Sequence, residues 1–186
     1  ILRNLKIYRN LMKTLMCMFF SHFKKTCVHT RRSDFILQRF YSSDPVFIRN
    51  ALIYLNGTTE IDRTKHRKIV IFGDDQEFMK GIFNLSKDKV NHMGFLADYF
   101  VSKNRPSDDL IYSKYNCDTV LISAPRSTFG FWMGYLSKGN AVYHMDITHE
   151  NKEFYRSRSF NSNDFFPIPW ITLDFASSEN KTVVER

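Results

Sequence analysis

Lys68-Ile69-Val70-Ile71-Phe72-Gly73-Asp74-Asp75 decides how the rest of this chain is read. An unbroken apolar run, with no polar alternation, marks a strand buried on both faces inside a parallel sheet. Gly73-Asp74-Asp75 then turns the chain, and Gln76 to Phe83 suits a helix. Working outward, Thr119 to Ser123 (TVLIS) and Ala141 to Met145 (AVYHM) repeat the buried-strand pattern. Thr26 to Thr30 is a shorter version with Cys27 and Val28 at its centre. Helical stretches lie between them. Asp44-Pro45 opens one over Val46 to Leu55, closing at Asn56-Gly57, and residues 57–67 follow as a polar linker. Pro106-Ser107-Asp108-Asp109, with Ser107 as cap, opens another over Leu110 to Tyr115. Lys89 to Lys103 fits neither pattern. Alternating strands and helices predict an α/β fold: a Rossmann-like, mostly parallel sheet flanked by helices.

With 186 residues, 43% hydrophobic and 25% charged, the chain can bury one ordinary core. A formal charge of +8 favours anionic partners. Its basic residues sit in short separated groups (Lys24-Lys25, Arg31-Arg32, Lys65 to Lys68) rather than one stripe, which argues against nucleic acid. Cys17, Cys27 and Cys117 make no CxxC pair; one disulfide with a free thiol and three buried thiols both fit. Cys27, inside a strand, reads as a small buried apolar residue. Asn56, Asn84 and Asn180 head Asn-x-Ser/Thr triplets and are glycosylation candidates. Residues 1–23 carry apolar side chains at helical spacing, but Lys13 interrupts the run, so a buried or amphipathic helix is expected rather than a membrane span.

Ligands of parallel sheets collect at the carboxyl ends of strands, so the residues after each strand carry the functional reading. His29-Thr30-Arg31-Arg32-Ser33-Asp34-Phe35 follows the first. Two adjacent guanidinium forks match a diphosphate in charge and geometry, and Asp34 is placed to orient one of them. The alternative is a solvated basic loop. Ser123-Ala124-Pro125-Arg126-Ser127-Thr128-Phe129-Gly130 follows the third strand and opens a helix, where free N–H groups and hydroxyls attract anions. Here the alternative is a plain helix cap at Ser127 or Thr128. Phe129, Trp132, Met133 and Leu136 are expected in the core, and Gly130 and Gly134 would let the helix lie close to the sheet. Asp74-Asp75 reads as a turn with solvated acids. The histidines show no metal-ligand spacing, so no metal site is expected. No Walker loop, GxGxxG or GxSxG is present.

These residues carry a resemblance. VHTRRSDF (Val28 to Phe35) resembles the HxRRGDY motif of the alpha-1,2-fucosyltransferase family. SAPRSTFGFWMGYLSKGNAVYHMDITHENKEF (Ser123 to Phe154) is similar to that family's later block, and DPVFIRNAL, KIVIFGDD, Asp109-Leu110 with Cys117, and FFPIPWITL resemble further segments in the family's order. The resemblance covers residues 26–173. It implies a catalytic set of Arg31, Arg32 and Asp34, and a donor site of His29, Arg31, Arg32, Ser127, Thr128 and Phe129. It further implies inverting transfer of L-fucose from GDP-fucose to the 2-hydroxyl of a terminal galactose on a glycan acceptor, with no required cofactor. The expected fold is the nucleotide-sugar half of a GT-B-like glycosyltransferase. Residues 1–25 would then be a helical remnant of the acceptor-side region, 26–175 the GDP-fucose-binding domain and 176–186 a polar tail. The resemblance also implies a lumenal Golgi enzyme, held to the membrane only by an anchor outside this chain. A catalytically impaired relative and a basic polyanion-binding module are the competing readings. Ser33 stands where the motif has Gly, which matters if that position needs positive φ.

Overall fold

The computed structural model of the protein describes residues 24–58, 67–83, 97–139, 141–149 and 162–186. Seven strands among these residues, β1 (Lys25–His29), β2 (Arg67–Phe72), β3 (Ala97–Val101), β4 (Thr119–Ile122), β5 (Ala141–Met145), β6 (Ile171–Phe175) and β7 (Val183–Glu185), form one sheet. Its order is β3-β2-β1-β4-β5-β6-β7. All pairings are parallel except β6 with β7. The strand order runs outward in both directions from β1, so β1 and β4 flank the topological switch point where such sheets bind ligands.

The helices are α1 (Ser33–Leu37), α2 (Pro45–Thr58), α3 (Gln76–Gly81), α4 (Pro106–Asn116), α5 (Thr128–Tyr135) and α6 (Ser162–Phe165), with a 3-10 turn at Ile147–His149. Successive strand residues point to opposite faces, and both faces are covered. On one, α2 packs Phe47, Ile48, Ala51, Leu52 and Leu55 against a layer that includes Val28, Ile71, Leu121 and Leu173. On the other, Met133 of α5 and the partly buried Leu110 and Tyr112 of α4 meet Cys27, Phe72, Val120, Ile122 and Val142. The two glycines of α5 act as expected. A Cβ on Gly130 would stand 2.7 Å from His29 Nδ1 and 2.9 Å from Ile122 Cγ2, and one on Gly134 would stand 2.9 Å from Val142 Cγ1. Helix and sheet therefore approach closely at the switch point.

Several expectations are corrected. α2 continues through Asn56-Gly57 to Thr58. Ser107 does not cap α4; Arg105 is the N-cap, without a side-chain bond, and Pro106 supplies the first turn. The ambiguous stretch contains β3, whose half-buried and exposed residues alternate because it is an edge strand. Residues 176–186 are not merely a polar tail, since Val183–Glu185 pairs with β6. Trp132, expected in the core, is 50% exposed, whereas Met133 is fully buried. Cys27 is fully buried as expected but is not a thiol: it forms a disulfide with Cys117, Cα atoms 5.6 Å apart and 90 residues distant in sequence. The expected helix over 1–23, Cys17 and Asn84 lie outside the described residues, and so does most of the 57–67 linker. No helix of the described residues is long and apolar enough to cross a membrane.

Candidate functional site

At the carboxyl end of β1 the chain leaves the sheet under tight control. Thr30 is still bound to β2, its N–H and hydroxyl both donating to Phe72 O at 2.7 and 3.0 Å. The next three residues are then fixed by groups from elsewhere. Arg31 N–H donates to Ser43 Oγ at 2.8 Å, and Ser43 N–H donates back to Arg31 O at 3.0 Å. The Arg32 and Ser33 N–H groups donate to the two oxygens of Asp74, each at 3.0 Å. Asp74 is therefore a brace for the arginine loop, not a solvated acid. Asp75 caps α3 by accepting from Phe78 N–H at 2.9 Å. Both acids of the turn after β2 thus serve structure.

The guanidinium groups are held as well. Arg31 donates from Nε and Nη2 to the two oxygens of Asp34 at 2.8 and 3.0 Å, a bidentate fork. Arg32 donates from Nη1 to Ser43 O at 3.0 Å and lies over the Phe78 ring with its central carbon 4.3 Å from the centroid. An arginine has five N–H donors, so each keeps several for a ligand while its position is set. The hydrogen bond from Arg31 holds the Asp34 carboxyl below the usual carboxylate range. A general base needs a proton affinity near the operating pH, so Asp34 suits orientation of Arg31 rather than proton abstraction. Ser33 opens α1, and Arg39 (φ 58°) is the one non-glycine residue at positive φ among the described residues. The replaced glycine of the motif therefore imposes no backbone strain.

Across the switch point, Ser127 is the N-cap of α5, accepting from Gly130 N–H at 3.3 Å. Its hydroxyl also lies 3.0 Å from His29 Nε2. His29 is fully buried, and its Nδ1 has no hydrogen-bond partner among the described residues. The tautomer that strands no buried N–H carries the proton on Nε2 and donates to Ser127 Oγ. Ser127 then accepts twice, which leaves its own proton available to a further acceptor. The amides of Thr128 and Phe129 begin the helix, where first-turn N–H groups have no intrahelical acceptor. Thr128 is exposed; Phe129 is half-buried with its ring centroid 6.0 Å from that of His29. The site residues divide accordingly: Arg31, Arg32 and Thr128 reach the surface, while His29 stands beneath it as a prop.

A hydroxyl relay joins the halves. Ser123 Oγ donates to His29 O at 2.7 Å and is 2.8 Å from Ser43 Oγ, which in turn receives Arg31 N–H. The chain of contacts runs from the end of β4 to the arginine loop without solvent exposure, since Ser43 and Ser123 are both fully buried. Among the described residues, no group of three or more His, Cys, Asp or Glu side chains could hold a metal ion. The arrangement offers guanidinium donors on one side and helix amides on the other, which together suit a phosphorylated ligand.

The profile of the family described as Glycosyl transferase family 11 matches residues 5–174. The chain belongs to glycosyltransferase family 11. It is 48% identical over 162 residues to a Caenorhabditis elegans protein provisionally named galactoside 2-alpha-L-fucosyltransferase, covering 86% of this chain and 43% of that one. A second C. elegans protein, named galactoside 2-alpha-L-fucosyltransferase, is 34% identical over 170 residues, covering 79% of this chain and 40% of its own. A third of the same name is 30% identical over 168 residues, covering 87% and 42%. The chain thus spans about two fifths of the length of these relatives. No solved structure matches it.

In this family 11 chain, sequence reasoning found the arginines and the Ser127-Thr128 helix start but missed Ser43, the bracing role of Asp74 and the Phe78 platform. Ser43 stands next to a helix start and looks like a spare capping residue; its partners come from 12 and 80 residues away.

Two buried histidines give the stability of the fold a pH dependence. Burial, aided by Arg31, pushes His29 down to about 3 from the ordinary 6.5. Burial likewise pushes His144 of β5 down to about 4. Lowered folded values mean that both rings contribute stability above pH 6.5, which is lost as pH falls from there towards the folded values. Between pH 7 and pH 5, each ring is expected to remove about 2 kcal/mol of unfolding free energy. Urea denaturation of the full-length protein at both pH values checks this, and an unchanged midpoint contradicts it.

Proposed function

We propose that this chain forms the donor-binding half of an inverting glycosyltransferase that moves L-fucose from GDP-β-L-fucose to the 2-hydroxyl of a terminal galactose. Support comes from membership of family 11 and from relatives named as galactoside 2-alpha-L-fucosyltransferases. The observation that carries the reading is the two-sided cradle at the switch point: Arg31 and Arg32 after β1, and the α5 start after β4.

In this scheme the acceptor hydroxyl oxygen forms a bond to the fucose anomeric carbon as that carbon's bond to the GDP β-phosphate breaks. The hydroxyl proton is released, and negative charge grows on the departing diphosphate. Fixed cations and N–H groups aimed at that charge lower the barrier. Arg31 and Arg32 supply the cations, with the Thr128 and Phe129 amides and the Ser127 hydroxyl opposite. The scheme assigns that charge stabilisation to the protein and needs no metal ion. We place the enzyme in the Golgi lumen. A buried disulfide supports an oxidising compartment, because such bonds persist there and are rare in the cytosol.

Full-length protein incubated with GDP-fucose and lactose should release GDP and form an alpha-1,2-fucosylated product identifiable by NMR. Binding of GDP without transfer would support the impaired relative instead. Failure of the folded protein to bind GDP would sink the donor assignment.

A further inference from the structure

We infer that Asn180 carries an N-linked glycan and that Asn56 does not. The inference rests on the lumenal placement proposed above. Asn180-Lys181-Thr182 lies in the turn between β6 and β7, where all three residues are exposed. The turn is built largely from its own residues, with one outside bond from Asn50 Nδ2 of α2 to Lys181 O at 2.7 Å. Asn180 N–H donates to Ser177 Oγ at 2.9 Å, Ser177 N–H donates to Asn180 O at 3.2 Å, and Thr182 N–H donates to Asn180 Oδ1 at 3.0 Å. Contacts this local form early and need no completed sheet, so a nascent chain can present the same conformation.

The last of these bonds matters chemically. With Thr182 N–H bound to Oδ1, the carboxamide of the exposed Asn180 is held in one orientation on the turn. The Thr182 side chain lies on the same exposed turn. Glycosylation forms a bond from Asn180 Nδ2 to the anomeric carbon of the first sugar of a polyprenyl-diphosphate oligosaccharide. The sugar–phosphate bond breaks, polyprenyl diphosphate leaves, and Nδ2 gives up one proton. Beside the turn lies a groove of about 460 Å³ lined by Asn50, Ile53, Tyr54 and Lys181, which gives the first sugar a surface to rest on.

Asn56 offers none of this. It is half-buried in the last turns of α2, and the Thr58 hydroxyl of its triplet donates to Tyr54 O at 3.2 Å. A helical triplet with an engaged hydroxyl does not present the turn that Asn180 presents.

The test uses full-length protein secreted through, or retained in, the secretory pathway of cultured human cells. Peptide N-glycosidase treatment in heavy-oxygen water followed by peptide mass spectrometry should find Asn180 converted to labelled aspartate. Asn180→Gln and Thr182→Ala should each remove one glycan, and Asn56→Gln none. Recovery of the 177–182 region unmodified, from protein whose Cys27–Cys117 bond is intact, overturns the inference while leaving the lumenal placement standing. Free Cys27 and Cys117 thiols in that protein would overturn the placement itself.

Discussion

On the proposed function, Arg31→Ala in the full-length protein is expected to lower the rate of fucosyl transfer by on the order of 10²–10³, with a smaller change in donor KM. The asymmetry follows from where the charge is. The diphosphate already carries negative charge in the bound donor, but the β-phosphate gains more as the anomeric bond breaks, so a missing cation costs most at that moment. A second effect adds to the loss. Arg31 neutralises Asp34 through two hydrogen bonds and lies 3.5 Å from an oxygen of Asp74. Removing the guanidinium leaves two carboxylates beside an incoming diphosphate. Arg31→Lys should recover only part of the activity, because an ammonium cannot reproduce a planar fork. Steady-state kinetics on protein with an unchanged melting temperature decides the matter. A fall of less than about threefold would remove Arg31 from the charge-stabilising role.

Replacing both Cys27 and Cys117 with Ala is expected to cost about 4–5 kcal/mol of stability, the loop-entropy value for a crosslink spanning 90 residues. That is a large share of the 5–15 kcal/mol typical of a folded domain. The bond closes a loop that contains the end of β1, both arginines, Ser43, β2 and β3, so the unfolded chain gains much freedom without it. The site should feel the change, since Cys27 lies two residues before His29 on the same strand. Denaturant titration of the full-length protein, with and without reductant during unfolding, measures the effect. Wild-type protein unfolded under reducing conditions should match the double variant. A difference below about 1 kcal/mol between oxidised and reduced protein would show that the crosslink is not what stabilises this region.

The sequence alone determined the parallel core. Unbroken apolar runs at β2 and β4, with shorter apolar stretches in β1 and β5, have one comfortable environment, burial on both faces, and their lengths and spacing imply helical crossovers. It also pointed to the two sides of the proposed cradle, because strand ends and helix starts leave local marks: adjacent arginines, and Ser127 before an apolar helix. β3 and β7 were harder to read because edge strands are half-solvated and carry weaker patterns.

What only the tertiary structure decided is how those marks act together. That Cys27 pairs with Cys117 depends on β4 lying beside β1, which brings the end of α4 next to Cys27. That Asp74 grips the arginine loop depends on β2 lying in register beside β1, with Phe72 level with His29. That His29 props Ser127 depends on Gly130 allowing α5 close to the sheet. Each of these contacts joins residues some 40 to 100 positions apart. Hydrophobic periodicity and capping are local and survive in the linear chain. The partner of a buried polar group is chosen by which strands become neighbours, and that choice exists only once the sheet has assembled.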